Sequence, residues 1–258
     1  MILHIVLGLL LLAMPAGALY FLDRKLLRSF GVAVGRMFVQ LLILCLIVWA
    51  LVKYDAAWLT LLWLVLLSGV SALLVVRRIG MRPSEFLLPV AAGLLTGPLL
   101  VGGYLLLAVL PVSGFLGARW FVPLMALLVG HTMTSTIRGL SAYRSALVTD
   151  EQEYEFLRGN GNAHLRSVLP FVRRALQAVF APTVANLSVM GLFAMPLLLC
   201  GILLGGVSPI NAFVLTLLLT IGCQASSVVA LAVTLWLADR QLFDKFGKLK
   251  DSSEEKNI

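Results

Sequence analysis

Acidic side chains are scarce in this sequence, 12 in 258 residues, and no Asp, Glu, Lys or Arg falls at the centre of a long apolar run. That weighs against a proton relay or an ion-coupled pump, which need an ionisable group within the membrane. There is no GxxxxGK(S/T) loop, so the chain cannot bind and hydrolyse ATP by that route. HExxH, GxSxG and clustered Cys/His patterns are also missing, and the three histidines, His4, His131 and His164, lie far apart. A self-contained enzyme does not follow from these residues. Cysteine is equally sparse. Cys45, Cys200 and Cys223 all fall within apolar stretches and read as small buried hydrophobes, not as a disulfide framework.

What fills the chain instead is hydrocarbon. Sixty per cent of the residues are hydrophobic and the mean hydropathy is +1.01, with apolar runs of about 16 to 30 residues separated by charges. This is the composition of a polytopic membrane protein. No ten-residue segments of alternating polarity occur, so helices are the expected way of satisfying the backbone inside a bilayer.

Seven transmembrane helices are predicted from where charges would otherwise be buried, at about 2.5 to 3.5 kcal/mol each. They cover about 2–21, 37–52, 58–76, a stretch within 86–112, 120–136, a stretch within 175–204, and 210–237. Arg36 is expected to snorkel at the entrance of the second. LLLLAMPAGA ends in small residues like a secretory signal. No Lys or Arg precedes it and three charges follow, so a retained first helix is expected.

Eighteen of the 20 basic residues follow segments one, three, five and seven, and only Lys53 and Arg119 lie on the opposite side. The positive-inside rule then puts the N-terminus outside and the C-terminus in the cytoplasm. It also accounts for the net charge of +8 without nucleic acid, because the basic residues are spread over every cytoplasmic loop. One transmembrane domain over 1–240, followed by a charged tail over 241–258, is the expected organisation.

Punctuation refines the helices. Ser208 and Pro209 read as N-cap and first helical position of the last segment. Pro182 and Pro196 divide a sixth segment too long to cross as one straight rod, so a kink or break is predicted, with Pro196 a candidate marker of a substrate pathway. Gly31xxxGly35, Gly93xxxGly97 and Gly201xxxGly205 would allow close helix approach, although such spacing is common by chance.

The polar and soft groups left inside the apolar segments are candidates for a substrate path: Gln40, His131, Asn186, Ser188 and Gln224, beside Thr132, Ser226 and Ser227. Interhelical hydrogen bonding is the competing reading. No metal site is assigned. Met190, Met195 and Cys200 could offer sulfur to a soft metal, but methionine at helical spacing also serves packing.

Against this background TDEQEYEFLRGNGN stands out, because it places Asp150, Glu151, Glu153 and Glu155 within six residues. Thr149 and Gln152 have capping-box spacing, the acids suit a helix N-terminus, and Gly159 and Gly161 suit its end. A helix of about two turns is predicted in the longest cytoplasmic connection, carrying Tyr154, Phe156, Leu157 and Arg158. A solvated charged loop is one reading. A coupling helix that docks in a cytoplasmic motor subunit is the other.

VGRMFVQL at 34–41, DAAWLTLL at 55–62, GHTM at 130–133 and APTVANLSVMGLFAMPLLLCG at 181–201 resemble, in that order, the FetB-like permeases of ABC transporters. That family includes bacterial iron exporters and plant aluminium-tolerance relatives. The resemblance implies a multi-pass permease in the plasma membrane, the bacterial inner membrane, pairing as two copies with a separate ATPase that holds the ATP and Mg. The chain itself would carry no cofactor. It also implies that the acidic segment after the fifth helix contacts the ATPase. There Glu155, Leu157 and Gly161 echo the family's E-x-L-S-L-G-A, while Arg158, Gly159 and Asn160 depart from it. Ala185 and Ser188 stand where the family carries an Asp and a Lys, and Pro196 falls where its L-P-G-M-M motif differs, which detaches iron specificity from the match. The expected function is ATP-driven export of a metal ion or other small solute. ATP binding would shift the acidic helix and tilt segments five and six around Pro182 and Pro196. A motor-independent carrier and a non-transporting structural or regulatory subunit are the alternatives.

Overall fold

In a computed structural model of the chain, the structure describes residues 10–22, 24–110, 117–190 and 197–243. The elements among them are helices: α1 (Ala13–Leu22), α2 (Arg24–Tyr54), α3 (Ala57–Ile79), α4 (Pro83–Tyr104), α5 (Ala118–Thr149), α6 (Glu151–Gly159), α7 (His164–Val189), α8 (Leu197–Leu204) and α9 (Pro209–Leu242). A π turn, Leu105–Val109, extends α4. By length and composition five helices can cross a membrane: α2, α3, α4 with its π turn, α5 and α9. Contacts divide the chain into two units, 1–54 and 55–258.

In the first unit α1 packs on α2. Arg24, Lys25 and Arg28, expected between helices, and Arg36, expected at the entrance of the second, all lie in the first half of a continuous 31-residue helix. Charge marks where the favoured solvent changes and not where the helix stops, since a backbone in water keeps its helical hydrogen bonds as readily. Apart from Leu51, α2 has no buried side chain. A run such as 41–47 would be untenable in water but loses nothing against lipid tails as apolar as itself. Both ends carry cations over aromatic rings, Arg24 at 5.7 Å from the Tyr20 centroid and Lys53 at 4.9 Å from Trp49.

The second unit is built on α3, α4, α5 and α9, with α4 and α9 sharing the most extensive contact and α7 lying on α5. His131 meets Ser227 and Tyr143 meets Asp239, both pairs separated by 96 residues, so α5 and α9 run parallel in constant register. At one end of the bundle the Asp55 carboxylate accepts the backbone N–H of Ala118 at 2.8 Å and so caps α5 from 63 residues away. At the other end, Arg144 Nη1 donates to the carbonyls of Ile79 and Gly80, both at 3.3 Å, where α3 closes on a left-handed Gly80.

Asp55 holds a φ of 40°, which Asn also tolerates. Thermal unfolding in detergent should therefore show Asp55→Ala losing about 1 kcal/mol, the usual worth of an N-cap, with Asp55→Asn keeping most of it.

Close approach explains the α4–α9 contact. A Cβ at Gly97 would lie 2.6 Å from the Ser226 carbonyl and 2.8 Å from Ala230 Cβ, and one at Gly93 would strike Thr234 and the Ala230 carbonyl. Of the three GxxxG spacings in the sequence this one is used between helices; Gly31, Gly35 and Gly201 face open space, and Gly205 meets only its own helix.

The fifth predicted segment was expected to end near Thr136, yet α5 continues to Thr149. At about 1.5 Å per residue, α5 and α9 measure about 48 and 51 Å, well beyond a hydrocarbon core of about 30 Å. The sixth is interrupted as predicted. Helix α7 passes unbroken through Pro182 and ends at Val189, where Met190 turns extended, and α8 follows from Leu197. Pro196 and Met195 lie outside the described residues. Ser208 is indeed the N-cap position of α9 with Pro209 following, although its side chain makes no capping bond. Helix α9 runs on to Leu242, and the tail past 243 lies outside the described residues.

Candidate functional site

Two constellations carry the chemistry of the second unit, one beyond the end of α5 and one within the bundle. At the first, the backbone leaves α5 at Asp150 (φ −115°, ψ 42°) and re-enters a helix at once as α6. Glu151 and Glu153 occupy its first turn and Arg158 its last, both favourable to the helix dipole. Gly161, at φ 79°, turns the chain toward α7. The predicted capping box does not form. Thr149 is the last residue of α5, and Asp150 takes the N-cap position without a side-chain capping bond, its carboxylate instead pairing with Arg174 on α7. Arg174 also reaches Glu153 at 3.3 Å. These pairs are exposed and contribute at most about 1 kcal/mol each.

Tyr154 is the one buried residue of α6. Its hydroxyl lies 3.0 Å from His164 Nδ1 at the start of α7. His164 Nε2 lies 2.6 Å from Asp239 Oδ2 near the end of α9, and the Tyr143 hydroxyl donates to Asp239 Oδ1 at 2.7 Å. With Nε2–H donating to the carboxylate, Nδ1 is free to accept from Tyr154. Burial raises the Tyr154 phenol above its ordinary pKa, Arg158 opposing and Asp239 reinforcing, so it remains a proton donor throughout the neutral range. Phe243 closes the cluster, its ring 4.8 Å from both Tyr154 and His164.

The far side of α6 faces outward. Glu155 is exposed and Phe156 is 69% exposed, Leu157 is half-buried, and the exposed Arg158 lies one turn on from Tyr154. Acids thus flank an outward aromatic on a helix fixed from behind.

Within the bundle, His131 Nδ1 lies 2.9 Å from Ser227 Oγ, and Ser227 donates to the Cys223 carbonyl at 2.9 Å. With the serine proton committed to Cys223, its oxygen accepts from Nδ1–H, leaving the Nε2 lone pair of His131 as an acceptor. Gln224 sits one turn before Ser227, half-buried. Thr132 bonds back to Leu128 and Val129 on its own helix. Asn186 and Ser188 are exposed on α7, Ser188 bonding to Ala185 at 2.8 Å. Gln40 is exposed on α2 in the first unit, Met190 is exposed, Cys200 is half-buried on α8, and all three cysteines are free thiols. Among the described residues no three of His, Cys, Asp and Glu gather where a metal could bind.

Residues 2–243 match the family described as Uncharacterised protein family (UPF0014). The chain belongs to it. It is 26% identical over 218 residues to the UPF0014 membrane protein slr1647 of Synechocystis sp., covering 83% of each chain. It is 25% identical over 224 residues to the UPF0014 membrane protein STAR2 of Oryza sativa subsp. japonica, covering 85% of this chain and 76% of that one. It is 21% identical over 214 residues to the probable iron export permease protein FetB of Escherichia coli, covering 82% and 80%. No solved structure matches. The resemblance read from the four quoted stretches is thus correct, and the chain is a membrane protein.

Sequence reasoning found the acidic helix and missed what holds it. Tyr143, His164 and the Asp239–Phe243 turn come from three places in the chain, with His164 and Asp239 75 positions apart. The available signal was Asp239 itself, an acid at the end of an otherwise apolar helix with no basic residue a turn before it to pair with.

Proposed function

We propose that this UPF0014 protein is the membrane-spanning permease subunit of an ATP-driven ABC transporter, exporting a metal ion or other small solute and powered by a separate ATPase subunit. The observation that carries this reading is α6: a helix with acids and Phe156 turned outward, anchored through Tyr154 to α7 and α9. Kinship with a protein named a probable iron export permease supports export. The end carrying α6 also holds Arg77, Arg78, Arg144, Arg173, Arg174 and Arg240, whereas Arg119 lies at the other, which favours a cytoplasmic α6 and seven crossings with the N-terminus outside. ATP and Mg belong to the partner, and two permease copies would complete the assembly in the plasma membrane.

Co-expression with the candidate ATPase should yield a complex whose hydrolysis is stimulated by the permease and which transports in vesicles only with ATP. Transport by the purified chain alone, driven by a gradient without nucleotide, would select the carrier alternative.

His131 and Gln224, half-buried on α5 and α9, are kept as the path candidates, although the His131–Ser227 bond is also what interhelical bonding alone would give. His131→Ala should reduce transport on the order of tenfold, the worth of one lost polar contact of about 1.4 kcal/mol, without altering ATPase binding. Vesicle uptake at saturating ATP measures it. Ser227→Ala should have a smaller effect, since it releases the tautomer without removing the ring.

A further inference from the structure

We propose that Asp239 is the positioning residue through which α6 moves α9. This rests on reading α6 as the contact with the ATPase. Chain order would pass a displacement of α6 into its neighbours α5 and α7, the two helices expected to tilt. The side chains carry it one helix further, through the start of α7 to α9. Tyr154, the one buried residue of α6, meets His164, and His164 spends its other ring nitrogen on Asp239 of α9. Phe243, just beyond the end of α9, packs on both rings. Both oxygens of the Asp239 carboxylate are thus engaged from other helices, Oδ2 by His164 and Oδ1 by the buried Tyr143.

Helix α9 is in turn keyed to α4, because Gly93 and Gly97 bring the two backbones too close to slide past one another. A push on α6 arrives at an α4–α9 body, with α5 following through Tyr143. Beside the Tyr154–His164 bond, the exposed Arg174 pairs with Asp150 and Glu153 add only solvated charges between α6 and α7, a weaker linkage than the part-buried chain of hydrogen bonds.

The test has two readouts. In the permease alone, a spin label at exposed Gln152 reports how firmly α6 is held. Asp239→Ala should raise its mobility about twofold, as expected when a local contact network opens. In the complex with the ATPase, Asp239→Ala and His164→Gln should lower solute transported per ATP about tenfold while hydrolysis stays within about twofold, the pattern of lost coupling and not of lost assembly. Tyr143→Phe, which keeps the His164 bond, should fall between. Asp239→Asn serves where the alanine variant does not fold. An unchanged label or an unchanged transport-to-hydrolysis ratio overturns the role of Asp239 even if ATP-driven transport by the wild type is intact. A wild type that neither binds the ATPase nor transports with ATP overturns instead the transporter reading beneath it.

Discussion

Gly97→Leu, like Gly93→Leu at the same contact, should unfold the second unit far more readily than leucine at a glycine that faces movable side chains or open space. Helices in a membrane gain nothing from burying leucine against leucine, since lipid offers the same surroundings; they gain from backbones brought close enough for dense packing. Gly97 creates that closeness. An added Cβ meets the Ser226 carbonyl at 2.6 Å and the Ala230 amide nitrogen at 3.0 Å, backbone atoms that cannot rotate aside. Gly97→Ala alone should cost about 1 to 3 kcal/mol by overpacking, and leucine should cost more. Gly102 is the internal contrast. Its Cβ would touch Met125 Cε at 2.7 Å and Leu128 Cδ1 at 2.9 Å, the movable ends of side chains, so Gly102→Ala should cost under about 1 kcal/mol. Gly35→Ala, with open space around it, should be neutral or gain a few tenths of a kcal/mol from helix propensity. Denaturant titration in mixed micelles ranks the three. Equal midpoints for Gly97→Leu and Gly35→Leu would remove the keyed contact from the fold.

That ranking also shows where the sequence was legible. Gly93xxxGly97 and Gly31xxxGly35 are the same pattern on paper, and only a neighbouring helix distinguishes them. Apolar runs located the hydrocarbon but not the helix ends. Arg24 to Arg36 and Arg138 to Thr149 are helical although their side chains belong in water, because a helix satisfies its own backbone in either solvent. Pro182 and Pro196 read as dividing a segment that kinks or breaks, and α7 continues through Pro182 and stops seven residues later. A proline leaves only the carbonyl four residues back, here that of Ala178, without its helical donor, a single loss that the helix tolerates; Thr183 Oγ1 donates to the next carbonyl, that of Val179, at 2.9 Å. Helix α6 was legible because acids at its start and glycines after it are local signals. The Thr149 cap was misread because α5 did not end where the charge pattern placed its end. Of the Tyr154–His164–Asp239–Tyr143 chain only the lone acid Asp239 left a signal, since nothing periodic joins residues 75 and 96 positions apart.

Glu155→Lys combined with Phe156→Ala should separate the permease from its motor. Neither side chain is buried, so the pair can be changed without disturbing Tyr154 behind them. An exposed aromatic that fills a partner's pocket is the kind of residue whose truncation costs about 2 kcal/mol or more, close to a thirtyfold loss of affinity. Charge reversal beside it adds repulsion against any surface that had been complementary to the acids. Stimulation of hydrolysis by the permease should fall about thirtyfold at limiting protein, and co-purification should fail. Reversing Glu153 would blur the result, because Glu153 also pairs with Arg174 within the chain. Arg174→Ala therefore serves as the control. It releases Asp150 and Glu153 but leaves the outward face of α6 unchanged, and exposed ion pairs of this kind contribute at most about 1 kcal/mol, so stimulation should stay within about fivefold of wild type. A double variant that still assembles and stimulates like the wild type would mean that the acids and Phe156 face solvent for no partner, and the transporter reading would lose the observation on which it stands.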